Sequence, residues 1–281
     1  MDEREVHYSI RGGAAGLRGG AHASRASGSL GRFRDTVPFM AFPDARRIDV
    51  RATVRDPFEV TVVRRFQHLA ALELYAVVDL SGSMGYQGRA RKIDLIAALV
   101  ASLAHSATRL GDRFGLIGCA ETMLDACYVA ATRRRGVGRE AVERLQRAAC
   151  RGASAAGLLQ AADRLAGARK LVFLVSDFLL PLELLRRVYQ SLARHDIVSV
   201  MVRDSTEDEA LPDWGLIDLV DLETGARRVV FMRPALKQRW LARDRRRRDE
   251  IARLAQQYGR SPVLIADRFD AERFSRDLFE A

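Results

Sequence analysis

The chain has 281 residues, 48% of them hydrophobic, which supplies the core of one large α/β domain plus a smaller appendage and excludes a disordered chain. Its formal charge of +10 rests almost wholly on arginine, since lysine occurs only at positions 92, 170 and 237, and such a surface favours acidic partners. Cys119, Cys127 and Cys150 lack C-x-x-C spacing and are odd in number, so they read as ordinary thiols of a reducing cytosol rather than as a disulfide framework.

Asp2, Glu3, Arg4 and Glu5 stand where a signal peptide needs apolar residues. Neither Leu95 to Ala104 nor Leu171 to Leu185 reaches the ~20 apolar residues of a bilayer span. No membrane span and a cytoplasmic location are therefore expected. Residues 12–31, rich in Gly, Ser, Ala and Arg without an apolar period, predict a flexible arm. No Lys-Ser or Lys-Thr follows a glycine run, so a phosphate-binding loop is not expected. Ile48, Val50, Ala52 and Val54 alternate with polar residues, and Val60, Val62 and Val63 continue, which predicts one or two strands. Residues 1–70 thus form a β-rich extension ahead of a main domain over 71–281.

Leu72 to Val78 is almost wholly apolar, as a strand buried on both faces of a parallel sheet reads. After a polar loop, Arg91 to Leu110 carries apolar residues at three- and four-residue steps and ends at Gly111, a helix with its stop. Phe114 to Cys119 and Leu124 to Ala130 predict a hairpin at the sheet edge, and Val137 to Ala149 a helix. A helix through Leu158 and Leu165, a strand over Leu171 to Val175, a helix over Pro181 to His195 and a strand over Ile197 to Arg203 follow. Ser205 to Asp213 reads as an acidic loop, and Glu223-Thr224-Gly225 as the turn of a hairpin. Pro234 opens a helix running to Tyr258, before a last strand at Val263 to Ala266 and a helix at Ala271 to Phe279. Strands alternating with helices predict an α/β fold with a doubly wound, mostly parallel sheet. Arg243 to Arg248 reads as a solvated helix face.

The loop between the first strand and helix of the main domain holds the chemistry. Asp79, Ser81 and Ser83 place a carboxylate and two hydroxyls two residues apart at the carboxyl end of a strand, where open α/β sheets bind ligands. Ser154 opens a small-residue stretch expected to cap the next helix, and Asp177 follows the strand ending at Val175. Neighbouring parallel strands lie about 4.8 Å apart, so Asp79 and Asp177 reach one ion if their strands are adjacent. Hard oxygen donors of this kind suit Mg²⁺, Mn²⁺ or Ca²⁺. The alternative is that Ser81, Ser83 and Asp177 simply cap the helices that follow.

The segments DLSGSM at Asp79 to Met84, RKIDLIAALVASLAHSATRLGDRFGLI from Arg91 and VSDF at Val175 to Phe178 resemble von Willebrand A-like proteins of unknown function encoded beside MoxR-type AAA+ ATPases. HYSIR at His7 to Arg11, GAHASRASGSLGRFRD at Gly20 to Asp35, ARRIDVRATVRDPFEVTVVRRF at Ala45 to Phe66 and DLETG within Gly215 to Val230 extend the resemblance over nearly the whole chain. It implies a metal-ion-dependent adhesion site with Asp79, Ser81 and Ser83 on the first loop, Ser154 at a position usually held by threonine, and Asp177 as the last carboxylate. It further implies a Mg²⁺-dependent adaptor that links a MoxR-type ATPase to a client presenting Asp or Glu to the ion. Members of methanol-oxidation gene clusters are similar too, which implies methanol dehydrogenase maturation, including calcium insertion, as the client pathway.

Two other functions compete. A phosphatase-like hydrolase using Asp79 needs D-x-D, and Ser81 takes the place of its second carboxylate. His7, His22, His68, His105 and His195 show no ligand spacing, and no G-x-S-x-G elbow is present, so an enzyme is not expected. Specific nucleic-acid binding is not expected either, because the arginines lack an interleaved aromatic platform and aromatics make up only 7% of residues.

Overall fold

The computed structural model describes residues 5–11, 19–28, 32–58, 60–209 and 211–281. They divide into two compact units: Ser9–Leu72, and Glu73–Ala281 joined by the chain's first residues up to Tyr8. The first residues were expected in the extension. Instead Val6 N donates to Ser106 Oγ at 2.8 Å, His7 N to Ser275 Oγ at 3.0 Å, and the buried Tyr8 hydroxyl to Asp112 Oδ2 at 2.8 Å.

The smaller unit contains β1 (Gly19–Gly28), β2 (Arg32–Pro38), α1 (Val50–Arg55) and β3 (Val62–Ala70), with the strands antiparallel in the order β1-β3-β2. Two expectations are corrected here. Gly19–Gly28 is a strand and not a loop; its ladder to β3 uses backbone groups, which need no apolar period, and its register shifts twice. Residues 12–18 and 29–31 of the expected arm lie outside the described residues. Val50–Arg55 is a helix and not a strand, because Asp49 caps it by accepting from Ala52 N at 3.1 Å. Val50 and Val54 are 67% and 79% exposed, so the alternation that suggested a strand buries nothing. The β2–β3 register is fixed by Arg65, which donates to both oxygens of its cross-strand partner Asp35.

The larger unit runs β4 (Glu73–Asp79), α2 (Lys92–Leu110), β5 (Arg113–Cys119), β6 (Met123–Thr132), α3 (Val137–Arg147), α4 (Gly157–Arg164), β7 (Leu171–Ser176), α5 (Leu182–Leu192) and β8 (Asp196–Arg203). It continues with α6 (Thr206–Glu209), the hairpin β9 (Gly215–Val220) and β10 (Arg227–Met232), α7 (Pro234–Gln257), β11 (Val263–Ala266) and α8 (Ala271–Glu280). Six strands form one sheet in the order β11-β8-β7-β4-β5-β6, parallel throughout except for β6. This is the doubly wound, mostly parallel α/β sheet expected from the sequence.

The predominantly apolar strands β4 and β7 are buried on both faces. Tyr75, Val77, Val172 and Leu174 face a core shared with α4, α5 and the end of α7. On the opposite face, Phe173 meets Phe274 of α8 with ring centroids 6.3 Å apart. Helix α2 has the length and hydropathy of a membrane span, yet its apolar window is 67% buried and it ends at Gly111 with φ of 73°, a left-handed stop. The strand order reverses between β4 and β7, so the carboxyl ends of these two neighbours open a crevice.

Candidate metal centre

Asp79 ends β4, and β7 carries Ser176 and then Asp177 to the same edge, with Val78 registered against Val175. Asp79 is 1% exposed and fully engaged: Oδ1 accepts from Ser81 N at 2.9 Å and Oδ2 from the Ser176 hydroxyl at 2.6 Å. The chain then makes a tight turn over Gly82–Gly85. Neither this turn nor α2 takes a side-chain cap, so capping does not account for Ser81 and Ser83. Their hydroxyl oxygens instead face each other at 3.4 Å, both residues buried.

Asp177 is also buried. Its Oδ1 accepts from Leu179 N at 3.1 Å, its Oδ2 from the Lys92 ammonium at 3.0 Å, and its own N–H donates to Met84 Sδ at 3.3 Å. The next residue, Phe178, is buried with φ of 57°, and its N–H donates to Ser176 Oγ at 2.9 Å. Arg247 of α7 reaches under this bend, donating to Phe178 O at 3.2 Å and to Leu180 O. The basic run expected to be a solvated face is thus divided: Arg243, Arg245 and Arg246 are exposed, while Arg247 braces the loop behind Asp177.

Ser154 lies on a second loop, after Gly152. Its hydroxyl accepts from Ala156 N at 3.1 Å, and α4 begins after Ala156 without a side-chain cap, which corrects the expected helix-capping role. The segment just before it is tied to the Asp79 loop through backbone bonds, Arg151 N to Leu80 O at 3.0 Å and Gly82 N to Gly152 O at 3.1 Å. The structure therefore gathers Asp79, Ser81, Ser83 and Asp177, and places Ser154 on an adjoining loop with its oxygen bonded locally.

The electrostatics are those of crowded carboxylates. Burial, followed by the charge of Asp177, pushes the Asp79 carboxyl above its ordinary range, against the bonds from Ser176 and Ser81. Burial disfavours the Lys92 ammonium, but Asp177 and Glu207 outweigh it and hold its pKa above the ordinary value. Glu223, in the β9–β10 turn, is raised by burial and then by the charges of Asp221, Asp177 and Asp79. That turn lies against the Asp79 loop and borders a cleft of about 630 Å³ lined by Ser83, Lys92, Leu179, Leu222 and Trp240.

Two buried carboxylates and two convergent hydroxyls fit a hard divalent cation, which such oxygens coordinate and whose charge offsets the Asp79–Asp177 repulsion. Among the described residues no three His, Cys, Asp or Glu side chains gather at metal-holding distance, so the hydroxyls are essential to any such site. Ser176, Lys92, Glu207, Glu223 and Arg247 were not legible as site residues. One signal was available for Lys92: a lysine in the first turn of an apolar helix opposes the helix dipole and calls for nearby acids.

A profile described as "Protein of unknown function DUF58" matches residues 38–250. An uncharacterized protein of Mycobacterium tuberculosis is 30% identical over 226 residues, covering 79% of this chain and 69% of that one. An "Uncharacterized protein in moxR 3'region" of Paracoccus denitrificans is 39% identical over 101 residues, 34% of this chain and 92% of that one. Among solved structures, BatB of Bacteroides thetaiotaomicron aligns with a TM-score of 0.47 at 12% identity, covering 75% of this chain and 98% of that one. Manganese-loaded TRAP of Plasmodium vivax aligns with a TM-score of 0.33 at 19% identity, covering 47% and 57%. At these scores the structural likenesses say nothing of the site.

Proposed function

The chain belongs to the DUF58 family, whose description assigns no function, and from its own geometry we propose that it is a non-catalytic, divalent-metal-dependent protein-binding adaptor. The observation that carries this reading is the convergence of Asp79, Ser81, Ser83 and Asp177 at the switch point of the sheet. Asp79, Ser81, Ser83, Ser154 and Asp177 would hold the ion. Bound there, a Mg²⁺, Mn²⁺ or Ca²⁺ ion would supply a positive centre for an incoming carboxylate. Asp79 and Asp177 match the ion's two charges and the serines are neutral donors, so a further carboxylate would be drawn by an open coordination place on a hard cation. A client's Asp or Glu is the matching group.

The loops beside the site supply the contacts that select a client. Residues 85–90 are pinned to the end of β8 by Asp204, which accepts from Ala90 N at 2.9 Å, and by the Tyr86–Thr206 hydroxyl contact of 3.1 Å. Leu179, 50% exposed, lines the adjoining cleft. The name of the Paracoccus relative supports a MoxR-type AAA+ ATPase as the working partner, with ATP-driven remodelling on its side and client recognition on this one. Methanol dehydrogenase is the client argued by sequence resemblance; no feature of the Asp79 site selects it.

The test is capture of purified MoxR-type ATPase and client from the source organism on immobilised full-length protein, with Mg²⁺ and with EDTA, read by mass spectrometry. Recovery of the hexameric ATPase and client with Mg²⁺, lost with EDTA and in Asp79→Ala, is expected. Capture indifferent to both would refute the metal-dependent reading. Metal-dependent phosphate-ester hydrolysis that disappears in Asp79→Asn would put the hydrolase reading in its place.

A further inference from the structure

The Lys92 ammonium is 1% exposed and has three oxygen partners: Glu207 Oε1 at 2.6 Å, Asp177 Oδ2 at 3.0 Å and Ser83 O at 3.4 Å. The ammonium donates to Asp177 and to the Ser83 carbonyl and is ion-paired with Glu207. Two of the acceptors belong to the metal-site loops. The third, Glu207, belongs to α6 and is not among the site's donors.

We infer that Lys92 is a built-in counter-cation and the specificity-determining residue of this site, holding Asp177 until a divalent ion takes over and then resting on Glu207. The inference depends on the metal reading proposed above. The geometry supports it in three ways. Asp177 Oδ2 is shared, because the same carboxylate that would bind the ion is already neutralised by Lys92. Glu207 gives the ammonium an alternative partner closer than Asp177 itself, so releasing Asp177 leaves no buried charge unpaired. The ring of Tyr86, with its centroid 5.7 Å from Nζ, flanks the ammonium and favours a cation there in either arrangement.

The consequence is selectivity by charge. A monovalent cation entering beside Lys92 replaces one unit charge with another and gains little for displacing the ammonium from Asp177. A divalent ion brings a second charge, which offsets the cost of pushing Lys92 onto Glu207. The lysine therefore weakens every cation, and monovalent ions most.

The test is calorimetric titration of Mn²⁺ into the full-length protein, its Lys92→Met variant, the Lys92→Met/Glu207→Gln pair and Lys92→Arg, with melting curves to verify folding. The pair keeps the wild-type net charge, so any gain reports the position of the ammonium and not overall charge. Mn²⁺ binding at least tenfold tighter in Lys92→Met and in the pair, with Lys92→Arg near wild type, is expected. If Lys92→Met does not fold, Lys92→Gln, which retains a neutral donor, takes its place. Equal or weaker binding in the pair while wild type binds overturns the role of Lys92 and leaves the metal reading standing. No Mn²⁺ binding by wild type or any variant overturns both.

Discussion

Gly82 lies directly beneath the carbonyl of Leu222: a β-carbon built on Gly82 would stand 2.1 Å from Leu222 O and 3.1 Å from Glu223 Cα. The tip of the β9–β10 hairpin therefore rests on the Asp79 loop, and only a residue without a side chain admits this approach. Gly82→Ala must push the turn away. Overpacking against backbone predicts a loss of about 1–3 kcal/mol in urea unfolding. Amide exchange at residues 221–225 rises with it. Unaltered exchange there would show that the turn is not held by the loop.

Asp79 is buried beside a second carboxylate, and its raised pKa means that its ionised form destabilises the fold at neutral pH. The unfolded chain gives up this proton first, so the penalty grows as pH rises through the acid range and is complete above the folded pKa. Asp79→Asn retains an acceptor for Ser81 N and removes the charge. In EDTA its melting temperature is expected to exceed wild type by roughly 2–4 °C, the shift that about 1 kcal/mol produces in a chain of this size. With saturating Mg²⁺ the order should reverse, since only wild type gains from the ion. A lower melting temperature for Asn in EDTA would show that the carboxylate is already compensated.

Arg247 and Arg245 share one basic run but not one role. Arg247 donates to Phe178 O and Leu180 O behind Asp177, whereas Arg245 is exposed. Arg247→Met is expected to lower stability by about 1–3 kcal/mol, because it leaves two carbonyls without their charged donor. Arg245→Met should stay within about 0.5 kcal/mol. Equal effects in chemical denaturation would mean that the run acts as one solvated face.

The main sheet was legible because the interiors of β4, β7 and β8 are dominated by apolar residues, and α2 has both a clean period and a glycine stop. The smaller unit was not. β1 is a glycine- and serine-rich strand held by backbone bonds, and Val50 and Val54 are exposed apolar residues that mimic a strand's alternation. At the site, spacing revealed the oxygens of Asp79, Ser81 and Ser83 because they are neighbours in sequence. Lys92 meets Ser83 across 9 residues, Arg247 meets Leu180 across 67, and Glu207 meets Lys92 across 115 (207 − 92), and their roles depend on distances that no local pattern encodes.

His195, 3% exposed, carries a pH dependence of the opposite sign to that of Asp79. Its Nδ1 accepts from Lys170 N at 3.3 Å, a bond that protonation abolishes. Burial, then the charges of Lys170 and Arg194, lower its pKa from the ordinary 6.5 to about 4. Between these values the unfolded chain binds a proton that the folded chain refuses, so stability falls as pH drops through the window and is unaffected by His195 above it. His195→Asn, whose Oδ1 replaces Nδ1 as acceptor without titrating, should remove this component. Urea unfolding at neutral pH and near the lower limit of the window measures it, as the difference between wild type and variant. That difference also cancels the opposing contribution of Asp79, which both proteins share. An identical pH dependence in the two proteins would place the proton uptake of acid unfolding elsewhere.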